Sequence, residues 1–380
     1  MAPIRILIVD DSAVIRKVLS DGLATDSDLE VVGTAANGRI ALSKLTQVNP
    51  DLVTLDIEMP ILDGLQTLAE IRKTHPKLPV IMFSTLTERG ASTTLDALAL
   101  GASDYATKPS NTGSLEVTLS QIRGELIPKI KALCGVRAAS RIRPSPLKPG
   151  RSSLPTAISA AREPGRVDVL AIGTSTGGPN ALADLLPAIP GDFPVPILIV
   201  QHMPPLFTRL LASRLNSRTS IKVREGSAGE ILQPGVAWLA PGDYHMSVQR
   251  EGTAVKLAMN QGPPENSCRP AVDPMFRSVA RVYGGNVLAV ILTGMGSDGV
   301  AGAQHIREKG GQVIVQDEAS SVVWGMPGQI AAAGLADAIY PLSSMAREIT
   351  RRVSAQRGGS SGTSMPKPVA SVQSGNLGRH

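Results

Sequence analysis

Aromatic residues are scarce: four Phe, four Tyr and two Trp in 380 residues. Base-stacking platforms and sugar-stacking clefts are therefore not expected. The two cysteines, Cys134 and Cys268, cannot build a disulfide framework and suit a reducing compartment. The N-terminal apolar stretch Ile6-Leu7-Ile8-Val9 stops at Asp10-Asp11, too short for a signal peptide. No apolar run approaches the ~20 residues of a membrane span. The expectation is a cytoplasmic protein without membrane insertion. What is present is ample core material, with 42% hydrophobic and 18% charged residues. At roughly 150 residues per domain, the length predicts two or three domains.

The net charge of +6 invites a nucleic-acid reading until its distribution is counted. Residues 1–136 carry −3 and residues 167–350 carry −2, whereas 137–166 carry +6 and 351–380 carry +5. The basic charge thus lies in a Pro/Arg-rich linker, where Thr156–Ala161 could form one helical turn, and in a Gly/Ser/Pro-rich tail. The expected division is a first domain over 1–125, a helix end and linker over 126–166, a second domain over 167–353, and a disordered tail over 354–380.

Strand patterns in the first region fall at residues 4–9, Val31–Ala35, Leu52–Leu55, Val80–Phe83 and near Tyr105–Thr107, separated by helical patterns, the first capped by Ser12. Five βα units predict a flavodoxin-like parallel sheet covered on both faces. The strand ends carry Asp10 and Asp11, then Asp56, then Ser84 and Thr85, then Lys108 before Pro109. Three carboxylates at adjacent strand ends suit Mg²⁺, and a carboxylate beside that ion can accept a phosphoryl group. A hydroxyl and a lysine could then bind the phosphate.

This set resembles the receiver domain of two-component response regulators. The resemblance implies Asp56 as phosphoacceptor, in Leu55-Asp56-Ile57-Glu58-Met59-Pro60. It implies Asp10, Asp11, Asp56 and the Glu58 carbonyl as Mg²⁺ ligands. It also implies Lys108 and Tyr105 as switch residues with Ser84 as the switch hydroxyl, where Thr85 leaves the register open by one.

A DNA-binding output is the commonest partner of a receiver, but residues 167–350 are acidic and show apolar strands running into Gly-rich loops instead. These are Val169–Ile172 into Gly173-Thr174-Ser175-Thr176-Gly177, Ile197–Val200 into Gln201-His202-Met203-Pro204, and Val287–Leu292 into Thr293-Gly294-Met295-Gly296-Ser297-Asp298-Gly299. The expected fold is a doubly wound, mainly parallel α/β domain. The first loop fits a G-x-S-x-G nucleophile turn. The third fits the dinucleotide-binding G-x-G-x-x-G with Asp317 downstream. A dinucleotide-dependent or DNA-binding output is therefore the alternative. Asp298, however, would oppose a pyrophosphate. In a hydrolase, Ser175 needs an imidazole base and the imidazole needs a carboxylate. Strand-end placement favours His202 over His245, which reads as a rim or packing residue, and Asp298 can reach the same sheet edge. The order Ser175, His202, Asp298 is not that of α/β-hydrolases.

Together the three loops behind a receiver resemble the CheB family of chemotaxis protein-glutamate methylesterases, over essentially residues 1–350. The resemblance implies the triad Ser175, His202 and Asp298, with Thr176 and Met295 beside the oxyanion. It implies a phosphorylation-activated serine hydrolase that demethylates glutamate γ-methyl esters, deamidates glutamines, and needs no cofactor in its catalytic domain. Methyl-accepting chemoreceptors are the implied substrate and a CheA-type histidine kinase the implied phosphodonor, with no nucleic acid partner. Residues Asn266–Asp273 look like a family segment bordering the site and receive no chemical role.

Overall fold

The computed structural model describes residues 2–108, 115–140 and 165–355. Pro109, the turn expected at 156–161 and the tail beyond residue 355 lie outside the described residues. In the first half β1 (Ile4–Val9), β2 (Leu29–Ala35), β3 (Leu52–Asp56), β4 (Val80–Ser84) and β5 (Asp104–Thr107) alternate with α1 (Ala13–Leu23), α2 (Gly38–Val48), α3 (Gly64–Thr74) and α4 (Glu88–Ala99). The helices start where the sequence offers caps. Ser12, Asn37 and Thr87 each accept a backbone N–H of the first turn, and Asp63 forms a capping box with Gln66. All strand pairs are parallel, in the order β2-β1-β3-β4-β5. This is the flavodoxin-like order, which gathers the carboxyl ends of β1 and β3 at one crevice.

The fifth helix is longer than composition suggested. It runs as α5 (Leu115–Gln121), a π-helical turn over Ile122–Leu126, and α6 (Ile127–Ser140). The helix runs through residue 125 and on past Arg137, where the basic composition begins. The reason is burial: Ile122, Leu126, Ile127, Ile130 and Leu133 pack against Ile6, Ile8, Leu52, Ile81 and Phe83. Each such side chain contributes about 1.5–3 kcal/mol when fully buried.

The second half contains β6 (Val169–Thr174), α7 (Gly178–Leu185), β7 (Ile197–Gln201), α8 (Phe207–Asn216), β8 (Lys222–Glu225), β9 (Val236–Leu239), β10 (His245–Glu251), β11 (Ala254–Asn260), α9 (Val272–Tyr283), β12 (Val287–Ile291), α10 (Val300–Glu308), β13 (Gln312–Gln316), α11 (Met326–Ala332), β14 (Ala338–Tyr340) and α12 (Leu342–Ser354). Seven strands form one parallel sheet in the order β14-β13-β12-β6-β7-β9-β8, and β10 pairs β11 as a separate antiparallel hairpin. The chain leaves β6 toward β7 and later returns on the other side at β12. The switch point therefore lies between β6 and β12, where loops from both directions diverge and leave a crevice.

Candidate active site and its cover

Ser175, His202 and Asp298 follow β6, β7 and β12, so all three lie at the carboxyl edge around the switch point. The nucleophile loop is held by buried polar side chains. Ser175 N donates to Thr293 O (3.1 Å), and Gln201 Nε2 donates to Ser175 O (2.9 Å). Thr174 Oγ1 donates to Thr293 O, and Gln316 Oε1 accepts Thr293 N (2.7 Å). The tight turn is made by Gly177 at φ 78, whereas Ser175 is not among the residues with positive φ. Gly294 explains its own motif without a nucleotide: a Cβ there would come within 2.9 Å of the Ser175 Cβ and 2.5 Å of Met326 Sδ. The G-x-G-x-x-G match thus reflects close backbone approach to the serine loop.

His202 Nε2 lies 2.7 Å from Asp298 Oδ2. Asp298 is 2% exposed, yet its carboxylate is fully served. Oδ2 also accepts Val272 N (2.6 Å), while Oδ1 accepts Asp273 N (3.1 Å) and Asn266 Nδ2 (2.9 Å). Those two backbone groups begin α9, whose N-cap position Ala271 supplies no side-chain cap. Asp298 therefore caps α9 from a distant loop and gains the favourable end of the helix dipole. Burial raises its pKa, but His202 and the two backbone N–H groups outweigh that and lower it. Burial lowers the pKa of His202, but Asp298 and Cys268 prevail and push it up to about 10. Ser175 Oγ has no hydrogen-bond partner among the described residues, and His202 Nδ1 faces Cys268 Sγ at 3.4 Å.

His245 is placed otherwise. It is buried, with Nδ1 accepting Ala271 N (3.3 Å) and Nε2 on Pro263 O (3.0 Å). Both ring nitrogens brace loops, which is a packing role. The backbone N–H groups of Thr176 and Met295 donate to nothing among the described residues, so both remain available beside Ser175.

At the receiver edge, Asp10, Asp11 and Asp56 each offer a carboxylate oxygen, and these lie within 4.8 Å of one another. Lys108 Nζ sits 2.7 Å from Asp56 Oδ2 and 3.0 Å from Asp10 Oδ2. One ammonium against three carboxylates leaves room for a divalent cation that prefers hard oxygen donors, and this donor set fits Mg²⁺. The Glu58 side chain is turned toward Arg89 (3.8 Å), so only its backbone can join the set. Ser84 ends β4, is 1% exposed and pairs in register with Thr107, next to Lys108. The side chain of Thr85 faces solvent.

Burial raises Asp56 to about 6 despite Lys108. A carboxyl raised in the folded state stabilises the fold below its unfolded value of 3.8, and that contribution is lost as pH rises through about 6. The cost of ionised Asp56 at pH 7 is about 3 kcal/mol at one unit per 1.36 kcal/mol. Asp56→Asn is therefore expected to raise the Tm at pH 7 without divalent ions and to have little effect at pH 4. Thermal melts at the two pH values check this.

The receiver covers the catalytic edge. Thr176 Oγ1, beside the nucleophile, donates to Asp104 Oδ2 (2.8 Å), and both residues are buried. The Tyr105 ring stacks on Phe207 with centroids 4.8 Å apart and an 8° interplanar angle. Asn180 Nδ2 donates to Leu98 O (2.8 Å), and Arg214 pairs with Asp96 (2.7 Å). Met295 packs with Val323 against the receiver core. Tyr105, which the resemblance implies as a switch residue, stands in this interface.

The CheB methylesterase family profile matches residues 170–349, and the response regulator receiver domain profile matches residues 6–120. A protein-glutamate methylesterase/protein-glutamine glutaminase of Trichodesmium erythraeum is 54% identical over 353 residues, covering 93% of this chain and all of that protein. The chain belongs to this family. A namesake from a Nocardioides species is 52% identical over 362 residues, covering 94% of this chain and 97% of the other. The catalytic domain of Thermotoga maritima CheB methylesterase is 39% identical, covers 49% of this chain and 99% of that one, and superposes with a TM-score of 0.48.

Within this methylesterase, sequence reasoning brought Ser175, His202 and Asp298 to one edge. It missed the polar residues that hold them. Asn266 donates to both Asp298 Oδ1 and Asp273 Oδ2 (2.9 and 3.0 Å), keeping two buried carboxylates apart. Thr293, Gln201 and Gln316 shape the serine loop, and Asp104 reaches it from the receiver. The only signal for Asn266 and Asp273 was their place in a segment noted as bordering the site. Among the described residues, no helix is long and apolar enough to cross a membrane.

Proposed function

We propose that Ser175, His202 and Asp298 carry out ester hydrolysis on glutamate γ-methyl esters of methyl-accepting chemoreceptors, and deamidation of glutamines at such sites. The observation that carries this reading is the His202–Asp298 pair, set behind Ser175 at the sheet's switch point. Asp298 holds Nε2, so Nδ1 is the nitrogen that takes the Ser175 proton as Oγ attacks the ester carbonyl. The N–H groups of Thr176 and Met295 face the developing oxyanion, each such donor being worth about 3–4 kcal/mol. His202 then gives its proton to the departing methoxide, methanol leaves, and water attacks the acyl-serine by the same route to free the glutamate. An amide follows the same steps with ammonia leaving.

Regulation follows from the cover. A phosphoryl group on Asp56, delivered by a CheA-type histidine kinase, would draw Ser84 and Lys108 toward its oxygens. Asp10, Asp11, Asp56 and the Glu58 carbonyl would hold a Mg²⁺ ion, which would supply charge neutralisation for that phosphoryl group. Drawing in Ser84 shifts β4 and β5, and with them Tyr105 and Asp104, so the stack on Phe207 and the bond to Thr176 weaken together. The open state is then favoured by the differential affinity of phosphate for it. The net negative charge of both folded halves argues against a nucleic-acid partner, and this reading sets the enzyme in the cytoplasm.

A serine-directed fluorophosphonate probe tests the reading without the natural substrate. Labelling located by mass spectrometry is expected at Ser175 and should accelerate several-fold with a small phosphodonor and Mg²⁺. Labelling elsewhere, or none in the activated protein, contradicts it.

A further inference from the structure

The nitrogen that must receive the Ser175 proton is engaged by a residue outside the triad. Residues 265–268 form a tight two-residue turn, in which Glu265 and Cys268 exchange both backbone hydrogen bonds (3.1 and 2.9 Å). Both central residues are left-handed, Asn266 at φ 50 and Ser267 at φ 62. That is the twist of a type I′ turn, which Asn tolerates well and Ser less so. Backbone strain of this kind persists only where the surroundings over-determine it. Here the Asn266 amide is fixed by Asp298 and Asp273, and the Glu265 carboxylate by Arg277 (2.6 and 2.8 Å). The turn delivers two side chains to the two members of the His–Asp pair: Asn266 to the carboxylate and Cys268 to the imidazole.

We propose that Cys268 is a positioning residue of the resting enzyme, whose thiol occupies His202 Nδ1 and so holds the imidazole off Ser175. The inference rests on the proposed triad, in which Nδ1 is the reacting nitrogen. Its support is the 3.4 Å contact together with a Ser175 Oγ that bonds to nothing among the described residues. The charged and titratable groups in contact with His202 are Asp298 from the β12–α10 loop and Cys268 from the turn, and Asn266 links Asp298 to Asp273 on α9. The Arg277–Glu265 pair stands behind Asp273. Asp298 and Cys268 both favour the imidazolium, and burial opposes it. Removing the thiol leaves Asp298 to orient the ring and frees Nδ1 to meet the serine. This restraint acts inside the catalytic half and is separate from the receiver's cover.

The test compares full-length wild type with Cys268→Ala and Cys268→Ser, using two readouts. The first is NMR titration of ¹⁵N-labelled histidine rings, with His202 assigned through His202→Gln. Cys268→Ala is expected to move the His202 titration to lower pH. The second is methanol release by the unphosphorylated enzyme. Cys268→Ala should raise kcat at pH 7 several-fold with KM unchanged and shift the ascending limb of the pH profile downward. Cys268→Ser, which keeps a hydroxyl at the position, should fall between the two. An unmoved titration, an unmoved limb, or a fall in kcat overturns the proposal. Failure of the triad itself is distinguishable, because Ser175→Ala would then retain activity whatever the ring titration does.

Discussion

Ser175→Ala is expected to lower methanol release by at least about 10⁴-fold with the Tm unchanged, since residues of such a triad act as a unit. Ser175 Oγ has no partner among the described residues, so its removal leaves no buried group unsatisfied. His202→Ala should cost a comparable factor. The discriminating variant is His245→Ala. That ring accepts the buried Ala271 N and contacts the carbonyl of the exposed Pro263, so removing it orphans one buried backbone N–H at a cost of about 1–3 kcal/mol. The Tm should fall while kcat stays within about threefold of wild type. If His245→Ala lost activity as His202→Ala does while still folding, the assignment of the base would be wrong.

The second large effect comes from the cover. Arg214 on α8 meets Asp96 on α4 at 2.7 Å, and Arg209 meets Glu88 at 3.3 Å. These pairs are partly exposed and each is worth only about 0–1 kcal/mol. Arg214→Glu nevertheless replaces attraction by repulsion against Asp96. A change of about 1–2 kcal/mol in the closed state multiplies the open population roughly 5- to 30-fold while that state is rare. Unphosphorylated Arg214→Glu is therefore expected to release methanol about 5- to 30-fold faster than wild type. Adding Asp96→Arg should restore the low resting rate, because the swapped pair attracts again. Salt should narrow both differences. Activation that persists in the double variant would mean that Arg214 acts within α8 and not across the interface.

How far the sequence could be read depended on the range of the interaction. Strand ends were legible because short apolar runs ending in Asp10, Asp56, Ser175 and His202 combine burial with chemistry over a few residues. The expected strands at 4–9, 52–55, 80–83, 169–172 and 197–200 are present, some extended by one or two residues. The end of the fifth helix was not legible. A π-turn and a run of basic residues hid an apolar face recognised only by the sheet it covers. The strand β11 and the short strands β8 and β14 were also missed, because partly exposed strands carry a weak alternation. Within the site, Asp104, Asn266, Gln201 and Gln316 have no local signature. Each is defined by a partner far along the chain, such as Thr176 for Asp104, 72 residues away. Polar residues that brace a site look like any loop residue until the fold brings their partners to them.

The central claim is that a receiver whose switch is Asp56 covers a serine esterase built on Ser175, His202 and Asp298. Its most direct measurement is methanol release from methylated receptor membranes, with and without a small phosphodonor and Mg²⁺. Wild type should be slow alone and strongly stimulated by the phosphodonor, and Asp56→Asn should remain at the slow rate under both conditions. Equal stimulation of Asp56→Asn, or methanol release that does not respond to the phosphodonor in wild type, would contradict it.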